Sequence, residues 1–205
     1  MRYPDFFDDA PVIVMVDPLA EFLGAVADGL FEYRYVDAVK AAGHSCPTVA
    51  SAWLMTAKAL AALYPGDIPQ RGSIRVEFQQ ARNSGVTGVI ANVVSLVTGA
   101  TQDSGFKGLG GRFDRRNLLF FDAAAPGEIR FRRLDTGAAV DVAANLAGLP
   151  ADSRMRELLG LCLAGTADVA QRREFGTLWQ ARVRSLLIDH ANDPEVIVVR
   201  HVSET

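Results

Sequence analysis

An α+β fold is what the sequence predicts, on three observations. Residues 48–64 carry apolar side chains at helical spacing behind a proline, whereas 73–78 alternate strictly between apolar and polar. Strand-like stretches then gather between 118 and 142, and helical periodicity returns from 152 to 189. A chain of 205 residues, 49% of them hydrophobic, is long enough to bury one good core. The expectation is a single domain over residues 1–205, with a mixed or antiparallel sheet packed against helices.

Each element has a local reason. Asp17 can cap a helix whose first position is Pro18, with Leu19, Phe22, Leu23 and Val26 at helical spacing and Gly29 as its stop. Residues 31–35 suit a short strand or the lead into a helix over 35–41, which Gly43 ends. The helix over 48–64 presents Val49, Trp53, Leu54, Ala57, Leu60 and Ala61 on one broad face and stops at Pro65-Gly66. In 73–78, Ile74, Val76 and Phe78 face the core. Residues 89–97 are β-branched enough for a strand, but their spacing and the Thr98-Gly99 ending favour a helix. Residues 101–117, with glycines at 105, 108, 110 and 111, read as a loop. Residues 118–122 and 128–134 form a hairpin around Pro126-Gly127, and 139–142 add a strand. Helices from Asp152 and over 168–189 follow, the first carrying Cys162 in its core stripe, and a strand at 196–199 closes the pattern.

Composition narrows the function. A formal charge of -3 gives no global attraction to nucleic acid, and the Arg112, Arg115 and Arg116 cluster reads as a solvated hairpin. No run reaches the about 18 apolar residues of a membrane span, and the acidic start resembles no signal peptide. Two cysteines make neither a disulfide framework nor a closed zinc knuckle, so the cytoplasm is the expected compartment.

The stretch richest in chemistry is Gly43-His44-Ser45-Cys46-Pro47. Pro47 suits the first helical position, which makes Cys46 the cap, where the helix dipole favours a thiolate. His44 stands two residues away in a segment where alternate side chains share a face. The two could be metal ligands, zinc wanting one or two more donors from Glu77, Asn92, Thr101 or Asp103. The alternatives are a small core residue and a satisfied histidine or, less favoured because no resolving cysteine is near, a catalytic thiolate–imidazole pair. Backbone amides of the glycine loop could cradle a phosphate beside Lys107 or Arg112, but the Walker spacing is missing and a mobile loop beside the pocket is the better explanation of the glycines.

With these elements placed, the sequence resembles the FmdE family, named for a component of formylmethanofuran dehydrogenase, over about residues 17–187. The resemblance rests on His44-Ser45-Cys46-Pro47 opening a helix, Thr98-Gly99-Ala100-Thr101 closing an apolar one, and the glycine loop and β-hairpin after it. The chain departs from the family at Ala42, Val89, Asn92 and Ala100, which stand where members carry a histidine, a cysteine, an aspartate and a cysteine. It also lacks the cysteines for the C-terminal zinc finger of several members. The resemblance implies an α+β core that dimerises and a pocket near His44 and Cys46, joined by the Thr98–Thr101 tract and the glycine loop. The expectation is a cytoplasmic homodimer with a divalent transition metal, zinc in the first instance, or a small ligand at His44 and Cys46. Thr101, Asn92, Lys107 and Glu77 line that pocket, with no nucleic-acid or membrane partner. The alternatives are a thiol-dependent enzyme using Cys46 and His44, or a non-catalytic family member that binds or assembles.

Overall fold

A computed structural model describes residues 2–202. The expected α+β class is what it shows: helices packed on a mixed, mainly antiparallel sheet. A 3₁₀ turn at Asp5–Phe7 precedes β1 (Ile13–Val16), α1 (Pro18–Phe22) and β2 (Leu30–Tyr33), and β1 and β2 pair antiparallel. Then come α2 (Tyr35–Ala42), α3 (Pro47–Leu63), β3 (Ile74–Phe78) and α4 (Thr87–Thr98). A small hairpin, β4 (Lys107–Leu109) and β5 (Arg112–Asp114), leads to β6 (Leu119–Phe120), β7 (Ile129–Arg133) and β8 (Ala139–Ala144). The last elements are α5 (Met155–Leu163), α6 (Val169–Arg184), which widens into a π-helical turn at Ser185–Asp189, and β9 (Ile197–His201).

The main sheet has the order β6-β3-β7-β8-β9. Alternation decides its faces. Val76 lies between Leu119 of β6 and Phe131 of β7, and all three are buried. Arg75, Glu77, Arg130 and Asp141 project from the opposite face, where Arg130 forks both nitrogens onto Asp141 at 2.7 and 2.9 Å. α3 covers the apolar face, and α2 and α4 pack on α3. Trp53 is wholly buried in the middle of α3, and its indole N–H donates to Pro11 O at 2.8 Å. Burying an indole without that acceptor would leave a polar group unsatisfied.

Four expectations need correction. α1 stops at Phe22 rather than Gly29, because Gly24 takes φ +68°, outside the helical region. Residues 118–122 and 128–134 do not pair with each other. β3 lies between them, parallel to β6 and antiparallel to β7. The glycine stretch contains the β4–β5 hairpin, since Gly110 and Gly111 supply the positive φ values that the two-residue turn between Leu109 and Arg112 requires. Cys162 is partly exposed rather than core. The helix chosen for 89–97 is α4, ending at Gly99 with φ +72°.

Candidate functional site

Cys46 is the N-cap of the 17-residue α3 with Pro47 after it, and its Sγ accepts the Val49 N–H at 3.4 Å. It is buried, at 8% exposure. Ser45, between the two candidate ligands, is held hardest. Its carbonyl accepts the Trp179 indole N–H at 2.9 Å and the Gln180 amide N–H at 3.2 Å, both from α6. Its hydroxyl donates to Gln180 Oε1 at 3.1 Å and takes the Tyr35 hydroxyl at 3.0 Å. Burial pushes the Tyr35 phenol far up, only partly offset by Ser45, so it stays neutral and serves as a donor. His44 is exposed, and its ring turns back so that Nδ1 donates to Ala42 O at 3.0 Å.

A zinc ion asks for three or four such donors. Among the described residues, no group of three His, Cys, Asp or Glu side chains comes together. His44 and Cys46 are two donors facing different surroundings, and the set does not fit a zinc centre.

The remaining candidates are dispersed. α3 ends where Leu63 O accepts from Arg133, opposite Ile74, and α4 ends where Thr98 O accepts the Gly72 N–H. Both helices therefore finish over the start of β3, which places Cys46 about 25 Å away at the far end of α3. The Thr98–Thr101 tract does meet the glycine hairpin: Thr101 N and Oγ1 both donate to Arg115 O, at 3.0 and 2.7 Å. Thr101 is thus a clasp for that loop. Asn92 is exposed on α4 and borders a cavity of about 440 Å³ with Arg82, Val89, Gln102 and Phe121. Lys107 is exposed opposite Asp114 in the β4–β5 hairpin. Glu77 lies on the outer sheet face, paired with Arg75 at 2.9 Å.

The most heavily built polar cluster is elsewhere. Asp17, 3% exposed, caps α1 by accepting Leu19 N–H at 2.9 Å and Ala20 N–H at 3.3 Å. The same carboxylate takes Arg71 Nη1 at 3.0 Å and Arg115 Nη2 at 2.6 Å. Arg71 also donates to Val97 O and Leu96 O, carbonyls the end of α4 leaves free. Gly72 and Gly99 make room: a Cβ on Gly72 would fall 1.7 Å from Arg115 Nη1, and one on Gly99 3.1 Å from it. Burial alone would raise the Asp17 carboxyl, but Arg115, Arg71 and the Ala20 N–H outweigh it and hold it below its ordinary value. Arg115, expected on a solvated hairpin, is 5% exposed. Over this cluster lies a polar cavity of about 470 Å³, lined by Arg71, Gln70, Ser73, Arg112, Phe113 and Arg115 among others. His44 and Cys46 line neither this cavity nor the one beside Asn92.

The sequence signalled half of this cluster. Asp17-Pro18 was readable as a cap, but nothing local separates Arg115 from Arg112 and Arg116. No helix among the described residues is long and apolar enough to cross a membrane. No family model matches the chain, and no curated protein matches it.

Proposed function

We propose that this chain is an FmdE-type α+β domain that works as a small-molecule binding protein. In this reading the His-x-Cys-Pro element is a structural clasp, and the ligand sits in a polar cavity. One observation carries it: the side chains of residues 44–46 and the Ser45 carbonyl all bond within the fold, capping a helix, closing a turn or joining elements. Ser45 ties α6 and Tyr35 to the start of α3, Cys46 Sγ caps that helix, and His44 closes on Ala42. The order of elements supports the FmdE-type core, because a helix opening at Cys46-Pro47 and another closing at Thr98-Gly99 sit where the resemblance requires them. A homodimer belongs to the same proposal, and sedimentation equilibrium of the intact chain tests it.

The deciding experiment measures metal content and iodoacetamide reactivity for wild type, His44→Ala, Cys46→Ser and Cys46→Ala. Wild type should hold no stoichiometric metal, and Cys46 should alkylate at least about a hundredfold more slowly folded than in urea. Cys46→Ser should keep its stability because serine is a good cap, whereas Cys46→Ala should lose about 1 kcal/mol. Near-stoichiometric zinc lost in His44→Ala and Cys46→Ala would establish the metal reading instead. Rapid alkylation of Cys46 that slows in His44→Ala would establish the thiol enzyme.

A further inference from the structure

We infer that the cavity above Asp17, Arg71 and Arg115 binds an oxyanion, the phosphate or carboxylate group of a small polar molecule. The inference deepens the binding reading and rests on it. Charge balance is the first argument. Arg71 and Arg115 share one carboxylate, and among the described residues no other carboxylate bonds either guanidinium. The cluster therefore carries one net positive charge, which the α4 C-terminal carbonyls bonded by Arg71 and that residue's partial exposure offset only in part. Burial pulls Arg115 below the ordinary guanidinium range; Asp17 pushes it back, and the Arg71 charge adds to the fall. A second anion would relieve that imbalance.

Hydrogen bonding gives the second argument. Arg115 Nε and Nη1 are buried and have no acceptor among the described residues, although the residue borders the cavity. A guanidinium presents its N–H groups as a planar fork matched to carboxylate and phosphate oxygens. Both nitrogens pack against Gly72, and because buried donors are almost always satisfied, a residue that lacks two acceptors at the edge of a cavity favours an acceptor there.

The rim is arranged in the same sense. Arg112 reaches the cavity with no carboxylate partner among the described residues, its guanidinium 4.7 Å over the Phe113 ring. Phe113 takes φ +64°, which costs an aromatic residue energy, and packs 5.4 Å from Phe22. Asp114, the one acid on the lining, is neutralised by Arg116, which donates to both of its oxygens at 2.7–3.1 Å and holds its carboxyl at about 2. Gln70 and Ser73 add neutral polar contacts. A volume of about 470 Å³ is in the range of small-molecule sites and leaves room for an anion carried on a larger ligand.

The test titrates the full chain with sodium phosphate, sodium malonate and sodium chloride at matched ionic strength. It follows thermal stability and the Arg Nε–H resonances. Phosphate or malonate should stabilise saturably beyond chloride and shift the Arg115 Nε–H with the same midpoint. Phosphate the tighter would assign a phosphate head, and malonate the tighter a carboxylate head. Arg112→Ala should weaken the better anion about tenfold, while Arg173→Ala, an exposed arginine on α6, should leave it unchanged. Stabilisation no greater than with chloride, or equal affinity in Arg112→Ala and wild type, would overturn the inference. If Cys46 were then still inert and metal-free, the binding reading would survive without this cavity.

Discussion

Replacing Asp17 by asparagine removes one negative charge from the centre of the arginine cluster and little else. Asparagine ranks with aspartate as a helix cap, so the Leu19 and Ala20 N–H groups keep an acceptor. What is lost is the counter-ion of two guanidiniums, 3.0 and 2.6 Å away, around a carboxylate only 3% exposed. Removing one partner of a buried ion pair costs about 3–5 kcal/mol, chiefly from the charge left behind. Against a total stability of about 5–15 kcal/mol, that brings the fold close to collapse. Urea unfolding at neutral pH measures it through the midpoint. The pH dependence has a definite sign. The folded carboxyl lies below its ordinary value of 3.8, so its stabilisation is complete above that value. It is lost as pH falls through the folded value. The gap between wild type and Asp17→Asn should therefore be constant near neutrality and close on acidification below about pH 4. A cost under about 1 kcal/mol, or a gap that ignores acid, would refute the account of Asp17 as the charge that holds this corner together.

Two further substitutions probe the neighbouring packing. Gly72→Ala meets Arg115 at 1.7 Å and also strains a φ of +80°, whereas Gly66→Ala at φ +84° meets nothing within 4 Å. Both should lose about 1 kcal/mol to backbone strain, and Gly72→Ala about 2 kcal/mol more from the displaced guanidinium, read from urea midpoints. Trp179→Phe removes the 2.9 Å indole bond to Ser45 O and leaves Gln180 as its only α6 donor. It should cost about 1–2 kcal/mol and raise the alkylation rate of Cys46, since the clasp beside that thiol is loosened.

Elements announced by caps and stops were legible in the chain. Asp17-Pro18, Cys46-Pro47, Gly43 and Gly99 each mark a helix end where the structure has one. The alternation of 74–78 assigned the faces of β3 correctly, because the period of a strand is written in its own residues. Its neighbours are not. Insertion of β3 between β6 and β7 depends on long-range pairing that adjacent residues do not encode, so a local hairpin was the natural but wrong inference. β1, with Val14 exposed and Ile13 and Met15 buried, passed without an assignment because four residues carry too little pattern. The site followed the same logic. Arg115 is distinguished from Arg112 and Arg116 only by Asp17, Gly72 and Gly99, which reach it through the fold.

The Asp17–Arg115 bond joins residues 98 positions apart, nearly half of the 205-residue chain. Until that loop closes, both side chains are hydrated and exert no influence on which compact arrangement the chain adopts. Once the chain collapses, only a topology that delivers residues 17, 71, 72, 99 and 115 to one point can bury these charges together. A globule with a shifted register would strand a guanidinium in apolar surroundings. The cluster thus acts as a proofreading device for the fold, penalising near-misses more than it rewards the native state.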